Sequence, residues 1–135
     1  MGPSVALFGP KARFHHLGIA VRSIEDTQSG LVKVIDPVQS VTVAFMQLGG
    51  QTLELIEPLG ENSPVNQNLK DGNRLVHFCI EVPDLEEAVE ICSKANFLPI
   101  SKAQPAVAFD LRKILWVFNQ KFGLVELLED KSLAE

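Results

Sequence analysis

His16-Leu17-Gly18-Ile19-Ala20-Val21-Arg22-Ser23-Ile24-Glu25-Asp26 is answered later in the chain by His77-Phe78-Cys79-Ile80-Glu81-Val82-Pro83-Asp84-Leu85-Glu86-Glu87. Both stretches fit His-x-x-Ile-x-Val-x-[Ser/Asp]-[Ile/Leu]-Glu-[Asp/Glu], 61 positions apart. A second pair follows: Leu53-Glu54-Leu55-Ile56-Glu57 matches Val125-Glu126-Leu127-Leu128-Glu129, 72 positions apart. The order is therefore His, Glu, His, Glu, once per half. A long pattern that recurs in the same order marks a duplicated structural unit. The two offsets differ by 11 residues, so the second half is longer between its His and its Glu.

Each half has the same coarse grammar. His16–Val21 alternates and is β-branched, which predicts a strand. Ser23 then reads as a helix N-cap, with Glu25 and Asp26 in the first turn, where the helix dipole favours carboxylates. Gly30 and Pro37 keep that helix short. Val41–Leu48 and Thr52–Glu57 are alternating runs joined by Gly49-Gly50, a hairpin signal, and Pro58 ends the second. Leu59–Arg74 holds Gly60, Pro64 and Gly72 and reads as a linker with a helical turn from Ser63. The second half restarts with a strand over Leu75–Val82. Asp84 caps a helix over Leu85–Ala95, with Leu85, Ala88, Val89 and Cys92 on one face. Leu98–Ser101, Arg112–Phe118 and Leu124–Leu128 read as strands. One such unit exposes an apolar sheet face that it cannot bury alone. The expected fold class is α+β: two βαβββ modules pairing into a curved mixed sheet around a metal cleft. The expected boundaries are an N-terminal extension over 1–13 and one domain over 14–129. That domain comprises a first module over 14–58, a linker over 59–74 and a second module over 75–129. A polar tail over 130–135 is expected to fray.

The chain has 135 residues, 46% apolar and 21% charged, which is ordinary globular composition. Twelve Lys and Arg against 17 Asp and Glu give a net charge of −5. That balance leaves no electrostatic footprint for nucleic acid and is repelled by anionic membranes. Apolar runs such as Ile114–Phe118 fall far short of the ~20 residues that span a bilayer. Met1–Pro10 lacks the early positive charge and long apolar run of an export signal, so the expected compartment is the cytoplasm. Cys79 and Cys92 are too few for a disulfide scaffold and read as free thiols.

Strand parity decides which side chains face together. Leu17, Ile19 and Val21 share the face expected to lie on the helix, and His16, Gly18 and Ala20 share the other. In the matching strand Phe78, Ile80 and Val82 form the helix side, with His77, Cys79 and Glu81 opposite. Glu54 between Leu53 and Leu55, and Glu126 between Val125 and Leu127, also lie opposite apolar rows. A carboxylate among strand hydrophobes is costly to bury unless it is paired or bound to metal. Two imidazoles and two carboxylates form a coherent ligand set for a divalent transition metal, and two anionic Glu balance its charge. A single His or Glu in a strand is ordinarily just solvated or hydrogen-bonded. The recurrence of both types at matching places in the two halves is what favours a site.

These residues resemble the vicinal oxygen chelate superfamily, which includes glyoxalase I, methylmalonyl-CoA epimerase, extradiol dioxygenases and metal-free bleomycin-binding proteins. The closest likeness is to the epimerase and glyoxalase branch, over roughly Phe14 to Glu129. Phe14-His15-His16-Leu17-Gly18-Ile19-Ala20-Val21 resembles its opening strand. Val43-Ala44-Phe45 through Leu53-Glu54-Leu55-Ile56-Glu57-Pro58 resembles its hairpin. Val76-His77-Phe78-Cys79-Ile80-Glu81-Val82 and Gly123-Leu124-Val125-Glu126-Leu127 resemble its third and closing strands. The resemblance implies metal ligation by His16, Glu54, His77 and Glu126, with one divalent ion such as Zn, Ni, Co, Mn or Fe. The sequence departs from that pattern in its short first helix and in Phe118-Asn119-Gln120-Lys121, where the epimerases carry a His-Pro-Lys phrase.

The implied activity is that of a metal-dependent isomerase, epimerase or glyoxalase-like lyase. It acts on a small molecule or thioester by taking a proton next to a carbonyl. Glu126 is the first candidate for the base and Glu54 the second. The alternative is a protein that sequesters a small molecule or antibiotic, with Trp116 and Phe118 lining an apolar cleft. An iron dioxygenase would need two His and only one carboxylate. The expected partners are a small-molecule substrate and a second copy of the chain, covering the thin helical layer of the first half in a homodimer. Neither nucleic acid nor membrane is expected.

Overall fold

The structure is a computed structural model that describes residues 2, 3 and 5–134. The elements run β1 (Arg13–Ala20), α1 (Ile24–Thr27), β2 (Val34–Asp36), β3 (Val41–Leu48), β4 (Gln51–Pro58), α2 (Val65–Asp71), β5 (Leu75–Val82), α3 (Leu85–Ser93), β6 (Leu98–Pro99), β7 (Gln104–Pro105), β8 (Lys113–Asn119) and β9 (Gly123–Glu129). Short 3-10 turns occupy Val107–Phe109 and Lys131–Ala134. β1 pairs with β4 in parallel, while β2–β3, β3–β4 and β8–β9 are antiparallel. The chain is α+β with mixed strand pairing, as the sequence predicts. No helix among the described residues is long and apolar enough to cross a membrane.

The chain forms two compact units. The first comprises His16–Phe78 with Ala106–Leu111, and the second the described residues up to His15, Cys79–Pro105 and those from Arg112 onward. β1 and β5 are divided between them. In the first unit the strands follow the order β2-β3-β4-β1-β5. Strand alternation there sorts the core as expected. Ile19 and Val21 pack with Ile24 of α1, Ala44 and Leu55, while Ala20 packs with Val41, Val43, Ile56 and Val65 and Leu69 of α2. The stretch read as a linker is therefore a structural layer. Val65 and Leu69, four apart on one face of α2, cover the side of β1 that the sequence leaves open. Gly72 ends this helix in the left-handed conformation at φ 73°.

In the second unit the order is β1-β5-β9-β8-β6, with β7 beside β8. Leu85, Ala88 and Cys92 of α3 pack against Val82, Val117, Val125, Leu127 and Phe97. Both predicted N-caps are present. Ser23 Oγ accepts from Asp26 N at 3.1 Å, and Asp84 Oδ1 accepts from Glu87 N at 2.8 Å. Three details differ from the sequence reading. β2 and β7 were not anticipated, and the strand expected over Leu98–Ser101 reduces to Leu98–Pro99. The helix expected to reach Ala95 ends at Ser93. The tail is also ordered over Lys131–Ala134, where the Asp130 carboxylate accepts from Ser132 N at 3.0 Å and Lys11 Nζ donates to Ala134 O at 2.9 Å.

Candidate functional site

Three of the four nominated residues meet inside the first unit. β1 carries His16, β4 carries Glu54 and β5 carries His77. His16 is fully buried, and Glu54 and His77 are each 5% exposed. His16 Nε2 lies 3.3 Å from His77 Nε2, and each of these nitrogens lies 3.4 Å from Glu54 Oε1. Such separations are long for charge-assisted hydrogen bonds, which close to about 2.7–2.9 Å. They match the spacing of ligands around one ion. Bonds of about 2.0–2.2 Å to tetrahedral zinc set nitrogen and oxygen ligands roughly 3.3–3.6 Å apart. The donor set, two imidazole nitrogens and a carboxylate oxygen, suits a borderline-soft divalent metal. The geometry of these three side chains fits such an ion.

The backbone explains how two imidazoles come this close. Gly18 is the Cα partner of Glu54 across the β1–β4 ladder. A Cβ on Gly18 would stand 2.6 Å from His77 Nδ1 and 3.0 Å from His77 Nε2. Gly18 is therefore a cradle for the His77 ring, a role that its place between Leu17 and Ile19 in the quoted repeat does not reveal. Gly18→Ala is expected to displace that ring. The expected result is a loss of about 1–3 kcal/mol in chemical denaturation, typical of overpacking, with weakened cobalt binding. Wild-type stability together with wild-type cobalt affinity would refute the cradle.

Aromatic rings surround the cluster. Phe45, opposite Glu54 on β3, presents its ring edge-on to His16 at 5.5 Å between centroids. Phe109, in the turn between β7 and β8, stacks on His16 at 5.7 Å with 22° between the planes. Neither residue carries a signal in the sequence that would mark it for the site.

Glu126 sits in the second unit. It is 2% exposed on β9 between Val125 and Leu127, with Trp116 opposite on β8. Val125 and Leu127 belong to the core under α3, so the Glu126 side chain projects from the other sheet face, as parity predicts. Of the two residues expected in an apolar lining, Trp116 is half-buried and Phe118 is exposed. The second glutamate of each repeat has a separate, structural role. Glu57 Oε1 accepts from Ile24 N at 2.8 Å, and Glu129 Oε2 accepts from Leu85 N at 3.2 Å. Each caps the first amide of the helix in its own half, where the dipole favours an anion. Glu81, which shares parity with His77, is held instead by Arg13 at 3.1 Å and Arg112 at 2.9 Å. Asn119 stands where the epimerase pattern has its His-Pro-Lys phrase. It closes the β8–β9 turn by accepting from Lys121 N at 2.7 Å and donating to Ala95 O at 2.9 Å. Burial pushes the Cys92 thiol up, away from the thiolate form.

Comparison with known proteins places this geometry. Residues 15–116 match the Glyoxalase/Bleomycin resistance protein/Dioxygenase superfamily. The uncharacterized protein YqjC of Bacillus subtilis is 35% identical over 132 residues, covering 89% of this chain and 94% of that protein. The ethylmalonyl-CoA/methylmalonyl-CoA epimerase of Cereibacter sphaeroides is 27% identical, covering 85% of this chain and 96% of the epimerase. Among solved structures, methylmalonyl-CoA epimerase from Mycobacterium tuberculosis shares the fold. It has a TM-score of 0.73 at 21% identity, covering 90% of this chain and 91% of that one. From the duplicated strands to the family match, these observations agree: the chain belongs to the glyoxalase/bleomycin resistance protein/dioxygenase superfamily.

Proposed function

We propose that this chain is a metal-dependent epimerase or isomerase that moves a proton on the carbon next to a carbonyl, in a small molecule or acyl thioester. The observation that carries the reading is the triangle of His16 Nε2, His77 Nε2 and Glu54 Oε1, with sides of 3.3–3.4 Å. Glu126 is the fourth ligand by the symmetry of the repeat, since it stands in the second half where Glu54 stands in the first. A bound divalent ion supplies Lewis-acid polarisation of the carbonyl, and Zn, Ni, Co, Mn and Fe all suit these ligands. His16 and His77 anchor, each through a neutral nitrogen. Glu126 takes the α-proton and returns it, with Glu54 the second candidate for that task. The likeness to the ethylmalonyl-CoA/methylmalonyl-CoA epimerase of Cereibacter sphaeroides supports an acyl thioester as the substrate class.

Assembly as a homodimer in the cytoplasm accompanies this reading. Val32, Ile35 and Val38 are 84%, 60% and 71% exposed around β2, the terminal strand of the first unit's order. An unpaired strand edge flanked by apolar side chains is a pairing surface. A single species of 14.8 kDa in sedimentation at micromolar concentration would refute the dimer.

The activity is tested by exchange in heavy water. Metal-loaded protein is incubated with 2-oxo acids, hemithioacetals and 2-methyl-branched acyl thioesters, and loss of the α-proton is followed by NMR. Metal-dependent exchange on the branched thioesters is the expected result. If nothing exchanges while some of these compounds raise the melting temperature, the chain binds small molecules without turning them over, and the enzymatic reading fails.

A further inference from the structure

All three residues of the triangle are buried, so little of them is open to an ion or a substrate oxygen. Phe45 is fixed in β3, which pairs with β4 along its whole length. Phe109 is held differently. It is 7% exposed and stacked on His16, yet it rides on the short segment Ala106–Leu111. Two backbone bonds brace that turn, both accepted by Ala106 O: from Phe109 N at 3.1 Å and from Leu111 N at 3.0 Å.

The turn is also strained. Asp110 and Leu111 have consecutive positive φ angles, 53° and 66°, a region that aspartate tolerates but leucine rarely adopts. Leu111 is 65% exposed, so burial of its side chain does not compensate. What holds the Phe109 ring in place is its packing on His16 and Phe45, with ring centroids 5.7 and 5.6 Å away. Ala106 is 3% exposed and Ala108 packs on the core around Ala20, so the ends of the turn are anchored and the strain sits at Asp110 and Leu111, next to Phe109.

We propose that the Phe109 ring is the gate of this site: it swings off His16, by relaxation at Asp110 and Leu111, to admit a metal ion or a substrate oxygen, then returns to exclude water. The proposal rests on the metal reading above for what passes the gate, but not for the gate's motion. Closure over a ligand would leave the proton transfer in a pocket that excludes water.

The test uses two probes in a His15→Gln background, which leaves His16 and His77 as the histidines of this chain. The first is carbethoxylation of His16 by diethylpyrocarbonate in the apo protein, mapped by mass spectrometry. The second is stopped-flow uptake of cobalt(II). In Phe109→Ala both are expected to run about tenfold faster, the factor given by losing one aromatic pair's stabilisation of the closed state. Phe109→Leu, which keeps an apolar cover without the ring, is expected to fall between. Wild-type rates for both probes in both variants, with unchanged circular dichroism, would overturn the gate. Should Phe109→Ala fail to fold, Phe109→Leu decides by the same criterion. If no form takes up cobalt, the metal reading fails, while the carbethoxylation rates still decide for or against the gate.

Discussion

Glu126→Gln is expected to retain bound metal and to lose α-proton exchange by at least about a hundredfold, the lower end of what a positioned general base contributes. The amide has nearly the shape of the carboxylate, so Val125 and Leu127 keep their packing under α3 and the second unit stays folded. An amide oxygen can still contact a divalent ion, but it cannot accept a proton from carbon near neutral pH. The variant therefore separates holding the metal from moving the proton. Exchange is read by NMR in heavy water, and metal content is measured on the same sample. Retention of more than about half the wild-type rate would move the base to another residue, since no general-base contribution is that small. Glu54→Gln would be the next variant, with metal binding expected to weaken because Glu54 Oε1 is one corner of the triangle.

His16→Ala is expected to lower the affinity for cobalt(II) by more than about a hundredfold. Altering groups that merely orient ligands already costs ten- to a hundredfold. The substitution removes one corner of the triangle and leaves a void where the ring meets Phe45 and Phe109. Some loss of stability is expected from that void, so cobalt titration is accompanied by a thermal melt. His15→Gln is the control: His15 is the neighbouring residue on β1 and part of the other unit. It is expected to bind cobalt like the wild type. Equal affinity in His16→Ala and the wild type would remove His16 from the ligand set and break the symmetry between the two halves.

The duplicated strands were legible because both physical signals were strong. Period-two alternation reads directly along His16–Val21 and Leu75–Val82, and the polar residue after each, Ser23 or Asp84, caps a helix. Parity also separates the row of His16 from the row that packs on α1 in β1. Ile19 and Val21 pack on α1, while His16 takes part in the cluster. What stayed hidden lacked such signals. β2 and β7 hold three and two residues, too few for any period to show. The linker hid a layer because Val65 and Leu69 are only one apolar pair in a seven-residue helix. The role of Gly18 was invisible because it depends on a ring from another strand. The turn carrying Phe109 could not be read at all. Sequence rules find left-handed positions through Gly or Asn, and here they fall on Asp110 and Leu111. Two glutamates per repeat looked alike in sequence. The structure gave Glu57 and Glu129 to helix caps.

The metal content of wild-type protein purified without chelator tests the central claim most directly. One ion held by His16, Glu54, His77 and Glu126 predicts about one equivalent of divalent transition metal per chain, removed by a strong chelator and restored by added cobalt, nickel, zinc or manganese. Less than about a tenth of an equivalent, with no uptake of any of these ions by a folded protein, would contradict it.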